Sequence, residues 1–134
     1  MRTFWAVAIG AALGGVARYY LASALQQRLG ATFPWGTLVV NVSGSLLLGV
    51  LIRYALVTPS VSVEMRALLT TGFCGGYTTF SAFSLETLML FRAGLAQLAL
   101  IYVVVSLAGW LLAVWLGHTM AVGFNRRNRS RSGG

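Results

Sequence analysis

From Ala93 to Asn125 the chain carries no Asp, Glu, Lys or Arg. A run of that length exceeds the roughly 20 apolar residues that cross the hydrocarbon of a bilayer, and in water it would expose more apolar surface than a small domain can hide. It therefore sets the solvent before it sets the fold. Composition extends the inference to the whole chain: 57% of the 134 residues are hydrophobic, 9% are charged, and mean hydropathy is +0.79, too apolar for an ordinary soluble surface. The length allows four spans with short connectors and no separate soluble domain. A chain this short encloses a solute pathway poorly by itself, so a pore or carrier site calls for a second copy.

Four apolar segments read as spans: about Phe4–Leu25, Thr37–Val57, Met65–Phe91 and Gln97–Ala121. Trp5 and the pair Tyr19, Tyr20 mark the two ends of the first, as interfacial aromatics do. That segment is too long, and lacks the cleavage pattern, for a signal peptide. Pro34 and Pro59 both fall in connectors, where a missing N–H leaves no carbonyl orphaned in lipid. The domain reading is thus one four-helix transmembrane unit over residues 1–125, followed by a disordered basic tail, 126–134. Small residues recur every fourth position at Ala6, Gly10, Gly14 and again at Gly109, Ala113, Gly117, Ala121, the pattern of close helix contact.

All ten basic residues are arginines, four of them in the sequence NRRNRSRSGG. Without aromatic interleaving or a folded partner element, that tail reads as a solvated, disordered end rather than an arm for acidic lipid head groups or nucleic acid. An even number of spans puts Arg2, Arg53, Arg66 and the tail arginines on one side, opposite Arg18, Arg28 and Arg92. Without the tail the count is three against three, which gives the positive-inside rule little to act on and predicts insertion in both orientations; the tail tips the count toward termini inside. Lone Cys74 reads as a small packed side chain. His118 has no Cys, Asp or Glu at ligand spacing. With two carboxylates, no phosphate loop and no nucleophile constellation, the chain is not expected to be an enzyme.

What packing does not explain is polar. GTLVVNVSGSLLLG puts Asn41 among valines, either as interhelical glue or with its NH2 group facing an anion or water. TTGFCGGYTTFSAFS follows in the third span. Its glycines and threonines are expected to unwind the helix near its middle, freeing carbonyls that must meet protein, water or an ion. Beyond the break, at ~100° per residue, Phe80, Phe83, Ser84 and Thr87 share one face. Glu86 is the one acid within a span and so a site candidate, unless it reaches the interface or pairs with an arginine. Tyr102 and Ser106, four apart, extend a possible hydroxyl line. Arg18 snorkels, pairs across a helix contact, or raises the potential at an entrance.

The order GTLVVNVSG then TTGFCGGYTTFSAFSLET, within four spans, resembles the small bacterial fluoride channels called Fluc or CrcB, over essentially the whole chain up to the tail. The resemblance implies an all-α membrane protein with the third of four helices broken near its middle, assembled as an antiparallel dual-topology homodimer in the bacterial inner membrane. It implies passive fluoride export and fluoride resistance through two pores, with a structural sodium ion at the dimer centre. Gly75 and Thr78 would offer backbone carbonyls to that ion. Asn41 would be the pore amide, Phe80 and Phe83 the flanking rings, and Thr79, Ser81, Tyr102 and Ser106 the polar track. Glu86 would lie near a pore end and Arg18 near a vestibule. Tyr77 is bulkier than expected in the break, and Trp110 stands where a continued track would want a hydroxyl. Two other readings remain: a proton-coupled exporter of the small four-helix dual-topology type, which the absence of an acid in the first span disfavours, and a membrane assembly subunit, which leaves the polar stripe unexplained.

Overall fold

The computed structural model describes residues 1–57 and 61–132, with side chains described over 1–53 and 61–123. The elements run α1 (Arg2–Leu29), α2 (Trp35–Val57), α3 (Val63–Ala67), a π-helical stretch (Leu68–Cys74), α4 (Gly75–Tyr77), α5 (Phe80–Arg92) and α6 (Ala96–Ser132). Among the described residues three helices are long and apolar enough to cross a membrane: α1, α2 over Trp35–Arg53, and α6 over Ala96–Gly123. The expected third span is the α3–π–α4–α5 series, one membrane-length path cut into shorter helices. Pro59 and its neighbours lie outside the described residues, and the side chains of the expected basic tail, 126–134, do too.

Local chemistry sets the boundaries. Gly30 closes α1 at φ 103°, a left-handed conformation that favours glycine. Gln26 holds the connector that follows: its Nε2 donates to the carbonyls of Gly30 and Phe33, and its Oε1 accepts from Gly36 N–H. At the far end of α5, Gly94 (φ 76°) lets Leu95 N–H return to the Leu90 carbonyl at 3.0 Å, a C-terminal cap that turns the chain directly into α6.

Packing divides the third span. Its N-terminal part lies on α1, backbone to backbone. A methyl group on Gly14 would meet the Phe73 carbonyl and Tyr77 N, and one on Gly76 would meet the Ala11 backbone. The C-terminal part, α5, packs on α6. Helix α2 lies mainly along α6, where Gly49 and Gly117 admit close approach in the same way. The small-residue stripes are therefore helix contacts, as read from sequence at Gly10, Gly14 and Gly117. Apolar side chains such as Leu111, Leu112 and Val104 cover the outside, as a lipid-facing surface requires.

The break is narrower than the sequence suggests. Gly75 and Gly76 do not unwind: Gly75 is helical at φ −64°, ψ −36°. The extended residues are Thr78 (φ −82°, ψ 159°) and Thr79 (φ −150°, ψ 126°). Gly76 is small because α1 passes against it, and the glycines serve contact rather than unwinding. The π-helical turn before them has no clear sequence signature. There the Gly75 N–H reaches the Thr70 carbonyl as well as that of Gly72, and the wider winding shifts the helix face presented to α1.

Candidate functional site

A break at Thr78–Thr79 in the middle of a span leaves backbone groups that lipid cannot satisfy. Asn41, on α2 and 4% exposed, takes up two of them. Thr79 N–H donates to its Oδ1 at 2.7 Å, and its Nδ2 donates to the Thr79 carbonyl at 2.9 Å. Of the two sequence readings of Asn41, glue is what the geometry realises, with one N–H of the carboxamide still available. Thr79 then caps α5: Ala82 N–H donates to its Oγ1 at 3.2 Å, and the same hydroxyl lies 3.1 Å from Ser81 Oγ.

These diversions have a definite consequence for two carbonyls. In a continuous helix Thr79 N–H would close on Gly75 O, and Ala82 N–H on Thr78 O. The first donor goes to Asn41 and the second to Thr79 Oγ1. Gly75 and Thr78, the two positions expected to offer carbonyls to a cation, are thus two whose helical donors have been drawn away. Gly75 is also exposed, with open space where a side chain would stand.

A second cluster lies one to two turns further on. Glu86 accepts from Thr37 Oγ1 at one carboxylate oxygen and from Tyr102 Oη at the other, both at 2.7 Å. Thr37 was not singled out from sequence; the available signal is its spacing, four before Asn41 on the same helix face. Arg18 shares a cavity of about 280 Å³ with Thr37, Thr79, Ala82 and Glu86. A larger one of about 510 Å³ runs from Glu86 and Thr37 past Gln26 to the connector ends at Thr32 and Leu95. A third, of about 260 Å³, lies on the other side of Thr79 and is walled by Asn41, Ser45, Phe80 and Trp110.

Between these spaces stand the rings. Phe83 is 6% exposed, with Tyr102 at 5.2 Å, Trp110 at 4.9 Å and Phe80 at 5.6 Å between ring centroids. Phe80 is 69% exposed in the single chain, so the two phenylalanines share a helix face without sharing an environment. The hydroxyls of that stripe, Ser84 and Thr87, donate to their own helix, at the Phe80 and Phe83 carbonyls. Tyr102 and Ser106 are both fully buried on α6. Tyr77, the bulky residue before the break, points its hydroxyl at Ser43 Oγ, 2.9 Å away, and stacks on Phe73. Among the described residues no group of three His, Cys, Asp or Glu could hold a metal.

Residues 5–118 match the family described as CrcB-like protein, Camphor Resistance (CrcB). The chain is 47% identical over 129 residues to a protein of Bradyrhizobium diazoefficiens named fluoride-specific ion channel FluC 1, covering 92% of this chain and 87% of that one. It is 48% identical over 124 residues to a FluC 1 of the same name from Rhodopseudomonas palustris, covering 90% and 86%. With the fluoride-specific ion channel FluC of Paramagnetospirillum magneticum the identity is 46% over 128 residues, 94% of this chain and 100% of its relative.

Proposed function

Because the chain belongs to the CrcB-like family, a family of multi-pass membrane channels and not of enzymes, we propose that it is a fluoride-selective channel of the bacterial inner membrane, through which cytoplasmic fluoride leaves passively. The observation that carries the reading is the arrangement around Thr79: a helix broken in mid-span, held open by Asn41, with cavities on either side and phenyl rings between them.

Fluoride is small and strongly hydrated, so a passive pore must replace its water with donors at short range. This chain has candidates in sequence along the path. The free N–H of Asn41 and the first-turn N–H groups of α5 point positive charge at the break. Ser81 and Thr79 add hydroxyls, and the rim of a phenyl ring presents weakly positive C–H groups. Tyr102, bound to Glu86, marks the far end, where Arg18 offsets the carboxylate's field.

The pore is completed, on this reading, by a second copy inserted in the opposite orientation. Gly75, Phe80, Ser81 and Ser84 form an exposed face of glycine, ring and hydroxyl that lipid would not favour and a partner would cover. A sodium ion fits the same face. The Gly75 and Thr78 carbonyls are hard oxygen donors without their helical partners, and two chains would supply four. Bound there, the ion would add a fixed positive charge beside the anion path. Outside the tail the arginine counts on the two sides are equal, three against three, which favours both orientations.

Liposomes containing the purified protein test this. Rapid fluoride efflux with negligible chloride efflux at zero pH gradient is expected. Strict dependence on a pH gradient would replace the channel with an exporter. Exchange of sodium for N-methylglucamine on both sides should lower the flux and weaken the dimer; undiminished flux would remove the sodium.

A further inference from the structure

Hydroxyls in the apolar parts of this chain mostly turn back on nearby carbonyls: those of Thr70, Thr78, Ser84 and Thr87 donate to the carbonyl four residues earlier, at 2.8–3.0 Å, and those of Ser43 and Thr119 to the one three earlier. That is the usual outlet for a helical hydroxyl in an apolar setting. Ser106, fully buried on α6, does not: its Oγ has no partner. One turn on, the Trp110 indole Nε1 is also buried and also without a partner. Only one other buried side-chain polar atom among the described residues is in that condition, Arg53 Nε. Two of the three therefore fall on one face of one helix, about 6 Å apart along its axis.

Their surroundings point to an acceptor. Trp110 walls the 260 Å³ cavity beside Asn41 and Thr79, and Phe83 packs on it edge-to-face. Ser106 lies between Trp110 and Tyr102, whose hydroxyl is fixed on Glu86. An indole N–H only donates, so what satisfies it must accept. Among the described residues none fills that role. A buried donor left empty is costly in a protein, and more so in a span.

We propose that the Ser106 hydroxyl and the Trp110 indole N–H form a two-donor anion site on α6, at which a partly dehydrated fluoride is held beside Phe83. The proposal rests on the channel reading above and assigns the indole a role that a hydroxyl could not copy in shape. Trp110 keeps the donor line going while its ring fills the space next to Phe83. It thereby narrows the route on the cavity side and ties passage to an acceptor small enough to sit against both donors.

The test uses the dimer with 15N-indole tryptophan and the same dimer in liposomes. Sodium fluoride should shift the Trp110 indole N–H resonance, and sodium chloride at equal concentration should not. Trp110→Phe keeps the ring and removes the donor; with the dimer intact by gel filtration, it should raise the half-saturating fluoride concentration about tenfold or more, the usual size for one lost bond to a charged group. Ser106→Ala should do the same, and the double variant should be little worse than either single one. A resonance that ignores fluoride, or a Trp110→Phe dimer conducting within twofold of the original at every concentration, overturns the site. The two readings separate cleanly: an unresponsive indole in a protein that conducts fluoride removes the site and keeps the channel, whereas a responsive indole in a protein that conducts nothing does the reverse. If Trp110→Phe does not assemble, the resonance of the unaltered protein decides.

Discussion

Replacing Asn41 with leucine isolates the clamp that keeps the third span broken. Leucine has the branched outline and the heavy-atom count of asparagine and is the larger of the two, so the change removes two hydrogen bonds without opening a cavity. It leaves Thr79 N–H and C=O unpartnered in a site that is 4% exposed on the α2 side. Each buried orphan costs about 1–3 kcal/mol, which sets an upper figure of about 6 kcal/mol. Two effects reduce it. Hydrogen bonds inside membranes measure only about 0.6 kcal/mol on average, and at most about 1.7. Moreover, Thr79 N–H has a ready alternative in the Gly75 carbonyl, four residues back, if the break winds up. The expected loss is therefore about 2 kcal/mol, accompanied by a straightened third span. Denaturant unfolding in mixed micelles reads the first, and amide exchange at Thr79 with fluoride efflux reads the second. Flux should fall at least tenfold, because closing the helix withdraws the α5 N-terminus and the carbonyls proposed to face the ion. A variant that unfolds within about 0.5 kcal/mol of the parent and conducts normally would refute the clamp.

Three further changes probe separate parts of the argument. Gly14→Ala places a methyl group against the Phe73 carbonyl and Tyr77 N; the helices must part, and the free energy of unfolding should fall by about 1–3 kcal/mol, whereas Gly15→Ala, which meets nothing within 4 Å, should be neutral. Tyr102→Phe removes one of the two donors on Glu86 and should slow fluoride efflux about tenfold with the dimer retained; unchanged efflux would take Glu86 out of the path. Phe83→Ile should reduce flux while leaving dimerisation intact, and undiminished flux would remove that ring from the pore.

Much of this was legible in the residues, and the rest failed for identifiable reasons. The spans were readable because a bilayer imposes length and apolarity on any chain that crosses it. Gly10, Gly14 and Gly117 were readable because fourfold spacing of small residues has few other uses in lipid. The location of the break was misjudged by a few residues because glycine signals two things at once. At Gly76 it serves close contact with Ala11, while the unwinding sits on Thr78 and Thr79, stabilised by an amide 38 positions away that local propensity cannot include. The shared face of Phe80, Phe83, Ser84 and Thr87 was readable from helical spacing, but a helical wheel gives direction and not partners, and the two hydroxyls turn back on their own helix's carbonyls. Thr37 was passed over for want of a partner visible in sequence. Its role appears only once α2 and α5 lie side by side and Glu86 comes within reach.

The division of the third span between two neighbours has an evolutionary corollary. Residues 68–77 answer to α1, backbone against backbone, and residues 80–92 answer to α6. A substitution that thickens α1 is best compensated before Thr78, and one that reshapes α6 after Thr79. Inherited change should thus accumulate in two blocks that drift almost independently, with Asn41 as the hinge pin that neither block can alter alone.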